Sequence, residues 1–431
     1  MVYAKRRIGK STLIIEAAKD FKGVVVNFLC VQSTLEGNLS LLGQSVCDAL
    51  KLPYIQFRSI IDLFTFIDSQ QKSVLLIIDE YQYLKNGREK NEVDSYFQTI
   101  IDRSSDKLKL VLCGSYISIM KELMEEENPL FGRFTLVIHL EEFNCFDASA
   151  FFSNISVNNK IAYYSVFGGS PYVLSCLKKE RSLEENIRDL LLPETGLLRI
   201  YIENVVLKEI QKVFDTRILE ILGNGKKKYS QILTGLALNN NGSLDKQLGN
   251  LLQMETINKT SPINKAGDKK KQFYQIQDNL LRFYFVYLFG KSGQVNVIGE
   301  KEYYHRYIEP SITEFISQRF KNIGMQYFQR KVKVGKLSGV YDIGSYWFDD
   351  PKNKTNGEFD CVLKLKDSYR FYECKYYQNK MTLGECQNEG KQVKAIKELE
   401  SETIGFICSA GFDFTSKKYD LIDGEDLFNK I

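Results

Sequence analysis

The sequence has 431 residues, too many for one ordinary hydrophobic core, so two to four domains are expected. Apolar residues make up 44% and charged residues 26%, as in globular proteins, and a net charge of +4 does not by itself indicate a nucleic-acid partner. Nine cysteines without a C-x-x-C pair and only two histidines argue against a disulfide framework, a zinc knuckle or a histidine-rich metal site. The most apolar run, LLRFYFVYLF (280–289), is too short to span a bilayer, and no signal peptide is recognised. We therefore expect a cytoplasmic protein with no membrane partner.

The first predicted element is a phosphate-binding loop. The segment AKRRIGKS (4–11) fits G-x-x-x-x-G-K-[ST] except that Ala4 replaces the first glycine. Alanine restricts φ at this position but keeps the backbone amides that bind phosphate, so the match is weakened and not broken. STLIIEAAKDF then has helical spacing and VVVNFLC is typical of a strand. Only three residues precede the loop, where a central strand usually has about five, so we expect that the natural chain begins further upstream and that nucleotide binding is weakened here.

A second buried strand, SVLLIIDE (73–80), ends in Asp79 and Glu80. An acidic pair is by itself more typical of a surface turn, but at the carboxyl end of a parallel strand it reaches the ligand-binding edge of the sheet. We expect Ser11 and Asp79 to hold Mg²⁺, Lys10 to offset phosphate charge and Glu80 to polarise the attacking water. The next strand, LKLVLCGS (108–115), ends in Ser115, which could sense the γ-phosphate.

The middle of the chain has two patterns. Residues 141–210 have helical spacing in FDASAFF, IAYYSVF and ENIRDLLL, which suits a lid on the sheet. Residues 214–280 predict three short helices and a β-hairpin whose last strand is KKKQFYQI, the order of a winged helix. Four lysines of its loop could contact DNA phosphates: Lys265, Lys269, Lys270 and Lys271. Alternatively, the loop is only solvated, or the winged helix only joins other domains.

The last third carries a candidate metal site. After the helix SITEFISQRFKNIGMQYF (311–328), the strands GVYDIGSYWF, GEFDCVLKLK and SYRFYECKYY precede a helix and a final strand, TIGFICSA. Alternation places Glu373 and Lys375 on one strand face, where Asp360 on the neighbouring strand can meet them. Asp360, Glu373 and the carbonyl of Cys374 are hard-oxygen ligands for Mg²⁺ or Mn²⁺, and Lys375 could orient or deprotonate water for phosphodiester hydrolysis. The alternative is an exposed ladder of charge pairs.

Five segments together resemble a known family: AKRRIGKS, LLIIDEYQYL (75–84), LVLCGS (110–115), NPLFGR (128–133) and FGGSPYVL (167–174). The chain resembles the archaeal-type ATPases of the AAA-related, signal-transducing branch of P-loop proteins, with a C-terminal DUF234-type, restriction-endonuclease-like domain. The resemblance implies that Arg133 is a sensor or arginine finger, and a trans-acting finger would require a homo-oligomer. Arg133 could equally be a solvated loop residue. The resemblance also implies that Gly168, Gly169 and Pro171 lie in the lid and that Glu314 adds a carboxylate to the nuclease site.

The sequence thus predicts an α/β protein with a P-loop NTPase sheet over 1–140, a helical lid over 141–212, a winged helix over 213–290 and a small restriction-endonuclease-like domain over 291–431. The predicted function is an ATPase coupled to a metal-dependent nuclease, with ATP and Mg²⁺ as cofactors, Mn²⁺ as an option at the nuclease site and nucleic acid, DNA favoured, as partner. The alternative is a nucleotide-dependent switch or scaffold whose C-terminal domain only binds. The predicted nucleotide-binding residues are Ala4, Arg7, Gly9, Lys10, Ser11, Thr12, Asp79, Ser115 and Arg133; the catalytic residues are Glu80, Asp360, Glu373 and Lys375; the metal ligands are Ser11, Asp79, Glu314, Asp360, Glu373 and Cys374.

Overall fold

The computed structural model describes residues 1–85, 92–152, 155–208, 215–237, 242–350, 355–394 and 403–429. The chain divides into two units, Met1–Glu142 and Phe143–Ile431. The first unit ends two residues after the predicted boundary at 140. The second contains the segments predicted as winged helix and C-terminal domain and all but the first two residues of the predicted lid. Within the described ranges, no helix combines the length and apolarity needed to cross a membrane.

A five-stranded parallel sheet forms the centre of the first unit. Its strands are Val2–Ala4 (β1), Val24–Leu29 (β2), Val74–Asp79 (β3), Leu108–Gly114 (β4) and Ile138–Leu140 (β5). They follow the order β2-β3-β4-β1-β5, and every neighbouring pair is parallel. The helices of this unit are Lys10–Ala18 (α1), Leu35–Leu50 (α2), Ile60–Ser69 (α3), Val93–Arg103 (α4) and Ile117–Glu122 (α5). The predicted α/β class with a parallel P-loop sheet is confirmed.

The aliphatic run of β3 explains the position of this strand in the sheet. Leu76 and Ile78 pack into a core cluster that includes residues of α2, α3 and α4, whereas Ile77 joins a second cluster with Ile14 of α1 and Val2 of β1. Successive side chains of a strand point to opposite faces, so a strand covered on both faces needs apolar residues at every position. The same arrangement brings the carboxyl ends of β1, β3 and β4 to one edge of the sheet.

The second unit begins with helices, and their role as a lid stays a prediction. Ser182 and Glu185 form a reciprocal capping box at the start of one of them, which satisfies two backbone N–H groups. The helices before the C-terminal sheet are Cys145–Ala148 (α6), Val157–Phe167 (α7), Pro171–Cys176 (α8), Leu183–Leu190 (α9), Leu197–Tyr201 (α10), Arg217–Gly223 (α11), Tyr229–Gly235 (α12), Ser243–Gln253 (α13), Asn279–Tyr287 (α14), Ser292–Ile298 (α15), Glu300–Tyr303 (α16) and Glu309–Lys333 (α17).

Three of these helices, α11 to α13, precede the antiparallel pair Ile257–Thr260 (β6) and Phe273–Ile276 (β7). This is the winged-helix order predicted from the sequence. The final strand is shorter than predicted, because Lys269–Lys271 form a 3-10 turn capped by the Asp268 side chain.

A mixed sheet follows α17. Its strands are Asp342–Asp350 (β8), Thr355–Lys364 (β9), Tyr369–Lys375 (β10), Thr403–Cys408 (β11) and Asp420–Asp423 (β12), in the order β12-β11-β10-β9-β8. The pairs β8–β9 and β9–β10 are antiparallel, and β10, β11 and β12 are parallel. The remaining helices are Leu383–Lys394 (α18) and Gly424–Phe428 (α19); β12 and α19 were not predicted, and residues 395–400 of the predicted helix lie outside the described residues.

The long helix α17 covers one face of this sheet. Phe328 of α17 packs on Tyr372 of β10, with ring centroids 4.4 Å apart. Gly324 allows the close approach, since a Cβ at this position would lie 2.8 Å from Cys374 Sγ. The side chains of Tyr372 and Cys374 therefore point to the helix-covered face.

Gly169 sits where the chain has no room for a side chain. Phe143 N–H donates to the Gly169 carbonyl at 3.0 Å, and a Cβ on Gly169 would lie 1.8 Å from the Phe143 carbonyl oxygen. We expect Gly169→Ala to lower the free energy of unfolding by about 3 kcal/mol or more, because backbone atoms must move apart. Gly249→Ala is the matched control: it lies in α13 with nothing within 4 Å of the added Cβ, and should gain about 0.5–1 kcal/mol. Urea unfolding of both variants measures the difference, and equal stabilities would contradict the prediction.

Candidate functional site

The phosphate-binding loop connects β1 to α1 through left-handed backbone. Ala4 ends β1 and is fully buried, Arg7 has φ of 65° and Gly9, the N-cap of α1, has φ of 89°. The Leu13 N–H bonds back to the Gly9 carbonyl, which starts the helical hydrogen-bonding pattern. The preceding N–H groups, including that of Thr12, fall in the first turn, which lacks intrahelical acceptors. This helix end therefore offers backbone donors to an anion.

The charged groups expected around the nucleotide come together at the edge of the sheet. Ser11 Oγ donates to Asp79 Oδ2 at 2.8 Å. Lys10 Nζ lies 3.7 Å from Asp79 Oδ1 and 3.7 Å from Glu80 Oε1, and the Lys10 residue is only 6% exposed. A buried ammonium group between two carboxylates is electrostatically balanced, and it can exchange one of these partners for phosphate oxygens. The hydroxyl of Ser11 and the carboxylate of Asp79 are oxygen ligands that fit Mg²⁺.

Glu80 is held in an unusual conformation directly after β3. Its φ is 57°, in the left-handed region that non-glycine residues rarely adopt. Ser115 Oγ, at the end of β4, donates to Glu80 Oε2 at 2.6 Å. Gln82 donates both to the same Glu80 oxygen and, at 3.3 Å, to Ser115 Oγ. Ser115 and Gln82 thus orient the Glu80 carboxylate; the sequence predicted Ser115 but missed Gln82.

Arg6 is a second loop residue that sequence reasoning missed. Its Nη2 donates to the hydroxyls of Tyr83 at 3.1 Å and Tyr116 at 3.3 Å, and its guanidinium lies 5.4 Å from the Tyr116 ring centroid. Tyr83 and Tyr116 follow β3 and β4, so Arg6 ties the loop to the segments that carry Glu80 and Ser115. The only signal in the sequence was a basic residue inside the loop motif.

Arg133 forms a two-pronged ion pair at the surface. Its Nε and Nη2 each donate to a carboxylate oxygen of Asp102 at 2.9 Å, and Nη1 donates to the Pro129 carbonyl at 2.9 Å. The Asp102 hydrogen bonds raise the pKa of Arg133 above its usual value. The structure does not bring Arg133 together with the loop residues, and its role as a sensor or finger stays a prediction.

In the C-terminal sheet, Asp360 and Glu373 lie on neighbouring antiparallel strands. Tyr372 pairs with Cys361 at the end of this register, and Glu373 and Asp360 are the next residues of the two strands. On the other side of β9, its pairing with β8 is irregular. Asp360 and Cys361 of β9 both lie opposite Ser345 of β8. Such a bulge bends the strand and redirects a side chain. The bulge is the local reason why Asp360 leaves the regular alternation of β9.

Each of the two carboxylates has a lysine partner. Lys321 Nζ of α17 lies 2.5 Å from Asp360 Oδ2, and Lys375 Nζ lies 3.0 Å from Glu373 Oε1 and 2.9 Å from Glu389 Oε1 of α18. Burial raises the pKa of Glu373, an effect that Lys375 partly offsets and Asp360 reinforces. Burial would lower the pKa of Lys321, but the attraction of Asp360 outweighs it, so that this pKa is raised. Lys321 and Glu389 were not predicted from the sequence.

The predicted metal set is gathered only in part. Asp360 lies close enough to Glu373 to help raise the pKa of Glu373, but the carboxylate of Glu314 accepts from Gln318 at 3.4 Å within α17. Glu314 lies seven residues, or about 10 Å of helix, before the Lys321 position that faces Asp360. Across the described ranges no cluster of three or more His, Cys, Asp or Glu residues could hold a metal ion. The donor chemistry of Asp360 and Glu373 fits Mg²⁺ or Mn²⁺, with two side-chain ligands in place of the three expected.

Glu373 also yields a prediction about pH. A carboxyl group whose pKa is raised by folding stabilises the fold below its unfolded pKa of about 4.3, and this contribution is lost as the pH rises through the folded pKa. Glu373→Gln should therefore match the native chain near pH 4 and become the more stable of the two towards pH 7. Urea unfolding across this range tests it, with exposed Glu180→Gln as control. A stability gap that does not change with pH would contradict the raised pKa.

The strand order, the left-handed loop and the acidic end of β3 define the first unit as a P-loop ATPase fold with Walker-type motifs. Residues 284–393 match the family model DUF234, described as archaeal and bacterial proteins of unknown function. The chain therefore combines a P-loop ATPase fold with a DUF234 domain towards its C-terminus.

Comparisons with individual proteins extend over more of the chain. An uncharacterized protein of Methanocaldococcus jannaschii is 25% identical over 354 residues, which cover 80% of this chain and 76% of that protein. The Walker-type ATPase PABY2304 of Pyrococcus abyssi is 18% identical with a TM-score of 0.48, covering 66% of this chain and 89% of that one. The ORC2 protein of Aeropyrum pernix is 13% identical with a TM-score of 0.42, and the match covers 69% of this chain and 88% of that one. The fold assignment rests on the strand order and loop geometry described above.

Proposed function

We propose that the first unit binds and hydrolyses ATP with Mg²⁺, and that it controls a metal-dependent phosphodiesterase in the C-terminal sheet that acts on nucleic acid, with DNA favoured over RNA. The observation that carries the ATPase proposal is the contact of Ser11 with Asp79 at 2.8 Å beside the buried Lys10. A hydroxyl, a carboxylate and an ammonium group at a helix N-terminus are the parts from which phosphoryl-transfer sites are built.

Each residue of the nucleotide site has a defined part in this proposal. The backbone N–H groups of the loop bind phosphate oxygens, and Lys10 Nζ offsets their charge. Ser11 and Asp79 would hold Mg²⁺, which, when bound, supplies Lewis-acid stabilisation of the phosphate charge. Glu80 accepts a hydrogen bond from the attacking water, and the bond from Ser115 keeps its carboxylate in position.

ATP hydrolysis by the native chain, measured as phosphate release with and without EDTA, tests the first part. Mg²⁺-dependent release supports the proposal. A chain that neither binds ATP nor releases phosphate would reject it.

The nuclease part is supported by Asp360 lying close enough to Glu373 to help raise the pKa of Glu373, and by Lys375 Nζ at 3.0 Å from Glu373 Oε1. Two carboxylates would hold Mg²⁺ or Mn²⁺, and Lys375 would orient the attacking water; in the present arrangement its ammonium group is held by Glu373 and Glu389. The test is cleavage of labelled single- and double-stranded DNA and RNA in Mg²⁺ or Mn²⁺, with and without ATP. ATP-dependent cleavage would support control by the first unit.

One observation favours the alternative of a nucleotide-dependent switch with a binding-only C-terminal domain. Both Asp360 and Glu373 already have lysine partners, so the cluster is neutralised by the protein itself. If every nucleic acid stays intact under all these conditions while ATP still binds, this alternative becomes the better account.

A further inference from the structure

Two lysine triplets, distant in sequence, lie side by side in the second unit. The first, residues 226–228, precedes α12, and the second, Lys269–Lys271, precedes β7. Lys227 and Tyr274 exchange both backbone hydrogen bonds, at 2.9 and 2.8 Å, in an antiparallel bridge. The first triplet therefore runs alongside β7 like a short third strand, which brings the two triplets together.

An aromatic pair holds three of these lysines on one surface. Phe273 of β7 and Trp347 of β8 stack with ring centroids 6.5 Å apart. Lys226 and Lys228 lie 5.0 and 5.6 Å from the Phe273 centroid. Lys228 also lies 5.8 Å from the Trp347 centroid, and Lys271 lies 3.6 Å from it. Ammonium groups over aromatic faces are attracted by the ring electrons, so the rings favour these positions for the three charges.

The wing beneath the lysines is tied to Trp347. The Asn264 side chain accepts from the backbone N–H of Trp347 at 3.0 Å and donates to the backbone carbonyl of Trp347 at 2.8 Å. Ile263 packs into the core cluster that includes Tyr346 and Phe359. The wing is thus docked on β8, the edge strand of the C-terminal sheet, and the surface is shared by the winged helix and that sheet.

Among the residues that the structure describes, no acidic side chain forms an ion pair with Lys228 or Lys271 of this surface. Glu358 pairs with Lys226, and the Asp268 carboxylate accepts from the backbone N–H of Lys270 at 2.8 Å. Lys269 and Lys270 are exposed. Each ring of the pair contacts the other ring and at least one lysine, which limits the aromatic surface left for stacking a base. Ammonium groups carry charge but no base-specific acceptor, so they suit phosphates and not base edges.

We propose that this lysine–aromatic patch, formed by Lys226, Lys228 and Lys271 over Phe273 and Trp347, binds the phosphate backbone of nucleic acid without regard to base sequence. The proposal rests on the nucleic-acid partner of the proposed function and adds the surface that holds it. It also assigns a role to Lys226 and Lys228, which lie outside the wing loop.

The test is binding of a fluorescent duplex DNA of random sequence, measured by anisotropy between about 50 and 200 mM KCl. The variant K226A/K228A/K271A should lose about three phosphate contacts, which lowers the slope of log K against log[salt] by about 2.7 and the affinity at low salt at least about tenfold. The control K179A/K301A/K417A removes the same charge from exposed lysines elsewhere in the unit and should stay within about twofold of the native chain. Equal losses in both triple variants, or native binding by the patch variant, would overturn the proposal.

A second readout comes from Trp347, which is the single tryptophan of the chain. Its fluorescence should change when DNA draws Lys271 from its ring, and an unchanged spectrum at saturation would count against the patch. Unfolding curves of the patch variant verify that it is folded. The outcomes also separate this inference from the nuclease: DNA that is cleaved and still bound by the patch variant rejects only the patch, whereas a native chain that binds no DNA rejects the partner as well.

Discussion

Lys10→Ala is expected to reduce ATP hydrolysis at least about 100-fold, because it removes a preorganised positive charge from the transferring phosphate. The structure makes the loss large: the ammonium group is almost fully buried and lies 3.7 Å from both Asp79 and Glu80. Without it, two adjacent carboxylates would face the phosphates, and their repulsion adds to the lost attraction. Phosphate release at saturating ATP measures the effect on turnover, and calorimetry measures the effect on binding.

Lys19→Ala is the matched control, since Lys19 is the C-cap of the same helix and is exposed, pairing with Glu16 at 2.7 Å. Such a surface pair contributes at most about 1 kcal/mol to stability, so this variant should hydrolyse ATP like the native chain. If Lys10→Ala retained native turnover, the loop would not be the site of ATP hydrolysis. A parallel loss in Lys19→Ala would instead point to damage to the helix as a whole.

In the sheet of the first unit, strands made of consecutive aliphatic residues were predictable from the sequence. Very short strands were not. The run Leu75 to Ile78 is aliphatic at every position, and only a strand covered on both faces accommodates this. Strand β5 has three residues, Ile138 to Leu140, which are too few to show a period; their pairing with β1 is decided by tertiary contacts. The candidate residues of the nucleotide site could be named from the sequence because the motif sets their spacing along the chain.

In the C-terminal cluster, only the residues that lie on strands could be predicted from the sequence. The presence of Asp360 and Glu373 on neighbouring strands follows from strand alternation and the hairpin connection. The bulge opposite Ser345 leaves no mark in the sequence, because FDCV reads as regular strand. Lys321 is one of several charged residues of α17, and only the packing of that helix on the sheet selects it over Glu314 as the neighbour of Asp360. Contacts between distant segments decide such choices, and a single sequence does not encode them locally.

This difference between Lys321 and Glu314 leads to the second large expected effect. If the C-terminal sheet cleaves nucleic acid, Asp360→Ala should lower the rate at least about 100-fold, because the site then retains one side-chain metal ligand. Glu314→Gln should stay within about threefold of the native rate, because its carboxylate contacts Gln318 and the described residues gather no third acidic ligand around Asp360 and Glu373.

Cleavage of one labelled DNA in Mn²⁺ by the native chain and both variants is the measurement, with the unfolding temperature of each recorded alongside. Asp360→Ala also removes the ion-pair partner of Lys321. Lys321→Met tests the effect of losing this ion pair alone. Because the Lys321→Met variant keeps both carboxylates, it should keep most of the activity. A loss in Glu314→Gln as large as that in Asp360→Ala would mean that the helix moves when metal binds and brings Glu314 to the site. Native activity in Asp360→Ala would show instead that the carboxylate pair takes no part in cleavage.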